Sequence, residues 1–245
     1  MFEDVQFIFL DMSTALVQEW EKAFAKHLDD SIHEKFTFLN CKLEDIPPPH
    51  NKFDCIVSPA NSYGRLDGGF DYYLSEALAP SHDHDAPTCH VQSVLYREWR
   101  GYAPPGTCTI ISLLNSPCEN NIHGCSYIGL CPTMRVPEEI TWNREVIYNC
   151  MWSLLVQLDK HNTAIQAGGG AGRRIRSVVI PGLGTGIGEV PIERCAQQMA
   201  LAFRDFLLSA GNPGKWSSLS WDDATENADD TRVTYGSPSK WSRLL

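Results

Sequence analysis

No apolar run in the 245 residues approaches the roughly 20 that a membrane-spanning helix needs. The opening Met1-Phe2-Glu3-Asp4 is acidic where a secretory signal is basic, so no signal is expected. Cations are scarce: 20 Lys and Arg stand against 30 Asp and Glu, a formal net charge of −10. That balance lacks the basic footprint of a long nucleic-acid binder and disfavours an anionic membrane surface. Most of the acidic excess falls in residues 1–100. The nine cysteines include no Cys-x-x-Cys pair, and the spacing of Cys118, Cys125 and Cys131 does not suit zinc. Reduced, buried thiols in cytosol or nucleus are the expectation. No Gly-Lys-Ser/Thr follows a glycine-rich loop, so a P-loop is absent. No cofactor and no metal is expected.

Apolar segments alternate between strand and helix character. Gln6–Leu10, Phe36–Leu39, Phe53–Val57, Ser126–Leu130 and Ser177–Ile180 read as strands, and Thr107–Leu114 is β-rich. Helical spacing relates Leu16, Val17, Trp20, Phe24 and Leu28, then Val146 to Leu158, then Ile192 to Leu207. Asp71–Leu78 and Val91–Trp99 are also expected to be helical, with residues 80–90 as a polar loop. This order predicts an α/β class with a largely parallel sheet. Residues 1–210 form the main domain in this reading. Residues 211–245 show no periodic stripe, yet hold Trp216, Trp221 and Trp241. A tail this aromatic is expected to dock partly on the domain or on a partner.

Two strand-to-helix loops carry the chemistry. The first runs from Ser58 through Asn61, Gly68, Gly69 and Phe70 to Asp71. The second runs from Pro181 through Gly184, Thr185, Gly186, Ile187 and Gly188 to Pro191. Each leaves the carboxyl end of an apolar strand, the edge where open α/β sheets bind ligands. Backbone amides at such turns bind phosphate without a cationic side chain. Ile187 stands where a dinucleotide fingerprint requires its third glycine. Two facing glycine-rich loops suggest a diphosphate clamp; two tight turns without a ligand are the alternative.

The segment Asp54-Cys55-Ile56-Val57-Ser58-Pro59-Ala60-Asn61, followed by Gly68-Gly69-Phe70-Asp71, resembles the first signature of macro domains. Ile180 to Gly188 is similar to their second signature, and Pro105-Gly106-Thr107 to an intervening turn. The resemblance covers roughly residues 5–210. It implies a three-layer α/β/α sandwich with a mixed, largely parallel sheet that binds ADP-ribose. By the same resemblance, Asp45 accepts from the adenine amino group with the Ile46 backbone beside it. Asn61 meets the distal ribose, Gly68, Gly69 and Phe70 lie near that ribose and the phosphates, and Gly184–Gly188 hold the diphosphate. Ser58 stands where Asn is common, and Asp67 replaces a usual glycine. No terminal strand like that of many members is evident, which leaves Trp216, Trp221 and Tyr235 as candidates to stack on adenine.

Some macro domains hydrolyse ADP-ribose derivatives, and in those the position of Asp71 is linked to orienting a water. The resemblance therefore implies a hydrolase of ADP-ribose 1″-phosphate or of protein-linked ADP-ribose, with Asn61 orienting and Asp71 activating water. A non-catalytic reader, or an interaction module with a decayed site, are the alternatives. The partners are then ADP-ribose or a derivative, with ADP-ribosylated protein as an extension; oligomeric state stays open. His123 is a loop histidine that a phosphatase-like site would use as an acid. His82, Asp83, His84, Asp85 and His90 read as a solvated loop. Gly168–Gly172 precedes a strand and reads as a linker.

Overall fold

The computed structural model describes residues 4–170 and 172–236. Among them, six strands form one sheet: β1 (Gln6–Leu10), β2 (Phe36–Leu39), β3 (Cys55–Ser58), β4 (Thr109–Ser112), β5 (Tyr127–Leu130) and β6 (Ser177–Pro181). Their order is β2-β1-β6-β3-β5-β4. Every neighbouring pair is parallel except β4 with β5. The helices are α1 (Thr14–His27), α2 (Phe70–Leu78), α3 (Ala86–Trp99), α4 (Val146–Gln166), α5 (Ile192–Gly211), α6 (Pro213–Trp216) and α7 (Trp221–Arg232).

The continuous apolar strands follow from burial on both faces. In β1, Phe7 and Phe9 join the core under α1, α4 and α5, while Ile8 and Leu10 join the core under α2 and α3. In β6, Val178 and Ile180 point to the first core and Val179 to the second. β3 divides in the same way, with Cys55 and Val57 opposite Ile56. The result is the α/β class that the strand–helix alternation predicts, in the three-layer α/β/α sandwich with a mixed sheet that the resemblance implies.

Local chemistry moves several boundaries. Residues 86–90 are the start of α3 rather than loop, with Pro87 in the first turn where its missing N–H costs nothing. Helix α4 runs on to Gln166. The Asn162 side chain bonds both the N–H and the C=O of Ile175 at 2.8 Å, which satisfies a polar group in its buried stretch. After Gly211 the chain forms α6 and α7, which lie against α4 and α5. Trp216 stacks on Trp152 with centroids 5.7 Å apart, and Arg204 pairs with Asp230 at 2.7 Å. Helix α7 starts at a capping box between Ser220 and Asp223. Trp221 is 87% exposed, and Trp241 lies outside the described residues.

Candidate active site

The carboxyl ends of the five parallel strands open on one cavity of about 760 Å³. Each strand contributes the turn that follows it: Leu10–Ser13 after β1, Cys41–Glu44 after β2, Pro59–Asp71 after β3, Thr133, Met134 and Pro137 after β5, and Pro181–Gly188 after β6. This edge is where a doubly wound sheet leaves a crevice, because the connections depart to opposite faces. The volume suits a nucleotide-sized ligand.

The β6–α5 loop turns back on itself. Glu189 N–H donates to Gly186 and Val190 N–H to Gly184, at 2.9 and 3.0 Å. At Gly188 a Cβ would sit 2.6 Å from the Gly184 carbonyl oxygen, so the loop closes this tightly only with glycine. Among the described residues no protein acceptor takes the amides of Thr185 to Gly188. A run of such amides is a concave anion site.

The β3–α2 loop is organised by its own side chains. Asn61 Oδ1 accepts from Tyr63 N–H at 3.1 Å, and Asn61 Nδ2 donates to the Arg65 carbonyl at 2.8 Å. Arg65 Nε donates to Asp67 Oδ2 at 2.8 Å, which offsets the carboxylate that replaces a glycine here. Gly69 (φ +58°) turns the chain into α2, whose first turn has no side-chain cap. Both cations of the cavity are engaged: Arg65 with Asp67, and Lys42 with Glu44 at 3.3 Å.

Asp71, in the first turn of α2, is buried yet lines the cavity. Ser58 donates its hydroxyl proton to Asp71 Oδ1 at 2.7 Å. Burial pushes the Asp71 carboxyl up to about 7, Asp67 adds to the rise, and the Ser58 hydrogen bond opposes it. A carboxyl near neutrality inside a cleft is suited to accept or give a proton at physiological pH.

The structure gathers Asn61, Gly68, Gly69, Phe70, Asp71, Gly184, Thr185, Gly186, Ile187 and Gly188 around this cavity. It leaves out Asp45 and Ile46. The chain forms a 3₁₀ turn over Leu43–Asp45, and Leu43 and Ile46, three residues apart, are both buried in the core. In that geometry residues i and i+3 share a side. Asp45 is thereby turned to solvent, and Glu44 faces the cavity. Trp216, Trp221 and Tyr235 are also elsewhere; Tyr235 bonds Glu145 and lies under Arg144. His123 is outside the lining, stacked on Phe53 with Nδ1 3.0 Å from the Asn51 carbonyl. Among the described residues no group of acidic, His and Cys side chains suits a metal. His84 pairs with Glu76, and His90 meets the Ser112 carbonyl.

Sequence reasoning missed the β1 wall. Asp11 Oδ1 accepts from Ser13 N–H at 2.8 Å, and Ser13 Oγ caps Leu16 at 3.3 Å. Between them Met12 is 63% exposed and lines the cavity. The available signal was the position of Asp11 at the end of an apolar strand.

Among solved structures the matches are at low identity and modest superposition. A variant of the Oceanobacillus iheyensis macrodomain with ADPR is 20% identical over 64% of this chain and 73% of its own, with a TM-score of 0.45. The same organism's macrodomain with ADP is 20% identical over 64% and 72%, and with MES 18% over 75% and 87%, both at a TM-score of 0.45. The family model of the macro domain matches residues 57–199, more than half of the sequence, and the chain belongs to the macro domain family.

Proposed function

We propose that this protein binds ADP-ribose and hydrolyses a derivative of it at the distal ribose. The observation that carries the reading is one cavity that joins free loop amides to a buried, near-neutral carboxyl. The amides of Thr185–Gly188 receive the diphosphate. The open backbone at Gly68 and Gly69 and the ring of Phe70 receive the distal ribose. Asp71 takes a proton from the attacking water. ADP-ribose 1″-phosphate and protein-linked ADP-ribose are the two substrate types to be tested.

The test combines calorimetry with ADP-ribose and turnover on both substrates, with wild type and Asp71→Ala. Binding with turnover that Asp71→Ala abolishes is the expected result. A reader without turnover is the second reading, and one observation favours it: the Asn61 carbonyl oxygen and one of its two N–H donors are engaged within its own loop. Binding without release of phosphate or ADP-ribose would select it. No binding at millimolar ADP-ribose would leave an interaction module.

A further inference from the structure

Ser58 closes β3 and is fully buried. A buried hydroxyl is costly without a partner, and here its partner is the Asp71 carboxyl. The 2.7 Å separation is that of a well-formed O–H···O hydrogen bond. The second carboxyl oxygen, Oδ2, has no protein donor among the described residues, and Asp71 lines the cavity. One oxygen of Asp71 is therefore held, and the other is left without a protein donor among the described residues.

Among the described residues no cation offers Asp71 an alternative anchor. Across the cavity stand Asp11 after β1, then Cys41 and the Lys42–Glu44 pair after β2. The β3–α2 loop brings the Arg65–Asp67 pair, and α2 itself carries Tyr73 and Glu76. Of these, Asp67 acts on Asp71, and it disfavours the ionised form.

We propose that Ser58 is the positioning residue of the site, fixing both the orientation of the Asp71 carboxyl and the pH at which it becomes a base. The inference rests on the role given to Asp71 above. In the hydrolytic step Asp71 Oδ2 takes one proton of the attacking water. The water oxygen bonds to the reacting centre at the distal ribose, and the bond to the leaving group breaks with its electron pair. Asp71 then returns its proton to solvent. Ser58 keeps its own proton throughout and stabilises the carboxylate before and after transfer.

The experiment is a carboxyl ¹³C-NMR titration of aspartate-labelled full-length protein, with Asp71 identified by the signal lost in Asp71→Asn. Ser58→Ala removes the donor at nearly constant volume. The midpoint of Asp71 should rise by about one to two pH units. The acid limb of the pH–rate profile should move with it, and kcat at pH 7 should fall about tenfold while ADP-ribose affinity stays within about twofold. Ser58→Cys, a weaker donor of similar size, should give a smaller rise and serves where the alanine variant does not fold. An unchanged midpoint, or a shifted midpoint with an unmoved rate profile in an active enzyme, overturns the proposal. A wild type without turnover that still shows the shift would retire the hydrolase reading and leave the Ser58–Asp71 pair standing.

Discussion

Replacing Asp71 with Asn makes the energetic position of this carboxyl measurable through stability alone. The folded group titrates near 7, against an ordinary value of 3.8. Between those values the folded state binds the proton that the unfolded state has lost, so stability falls as pH rises. A tenfold change in proton affinity corresponds to about 1.4 kcal/mol, so full ionisation costs about 4 kcal/mol above pH 7. Asparagine carries no charge at any pH in this range, and its carbonyl still accepts from Ser58. The variant should therefore gain about 4 kcal/mol on wild type between pH 4 and pH 8. Urea unfolding of both proteins in matched buffers measures this as the difference between two curves. Shared groups cancel in that subtraction, among them His27 and His123, which burial lowers, and Asp205, which burial raises. A difference flat to within about 1 kcal/mol would show that Asp71 is not held against its ionised form, and the case for it as a neutral-pH base would go with it.

Gly188→Ala places a methyl against the Gly184 carbonyl and Ile140, so it should cost about 2–3 kcal/mol and at least a tenfold loss of ADP-ribose affinity by calorimetry. Gly186→Ala, whose Cβ meets nothing, should stay within about 0.5 kcal/mol in stability and serves as the matched control. Met12→Ala should weaken ADP-ribose about five- to tenfold and leave the melting temperature within about 2 °C, as for an exposed apolar contact at the cavity wall. Trp216→Ala removes the stack on Trp152 and should cost about 1–2 kcal/mol, read as a lower melting temperature with ADP-ribose affinity unchanged.

The two loops that flank the cavity are legible because each is a glycine-rich stretch caught between an apolar strand and a helix. The β1 wall is not, because Asp11-Met12-Ser13 has no composition that separates it from any helix start. Its importance comes from the place of β1 between β2 and β6, two of the other strands whose carboxyl ends open on the cavity, which only the pairing reveals. Asp45 against Glu44 is a matter of one residue in a 3₁₀ turn, set by the burial of Leu43 and Ile46. Ser58 reads as a departure from a pattern until its hydroxyl is seen to reach Asp71, thirteen residues on. Helix α7 shows no stripe because it is polar on nearly every side. It is held by its capping box and by pairs such as Arg204–Asp230, signals a hydrophobic periodicity does not carry.

The strand order also sets a timetable for synthesis. β1 is translated first and lies beside the edge strand β2, yet the neighbour that joins it to β3 is β6, the last strand made among the described residues. Until Ser177–Pro181 emerges, β1 with β2 and β3 with β5 are two separate ribbons, each with an apolar, unpaired edge facing a gap. Such distant pairing closes slowly, and its open edges are the sites where a nascent chain meets chaperones or aggregates. The β6–α5 loop arrives with the same strand, so the gap in the sheet and the last wall of the cavity close in one event.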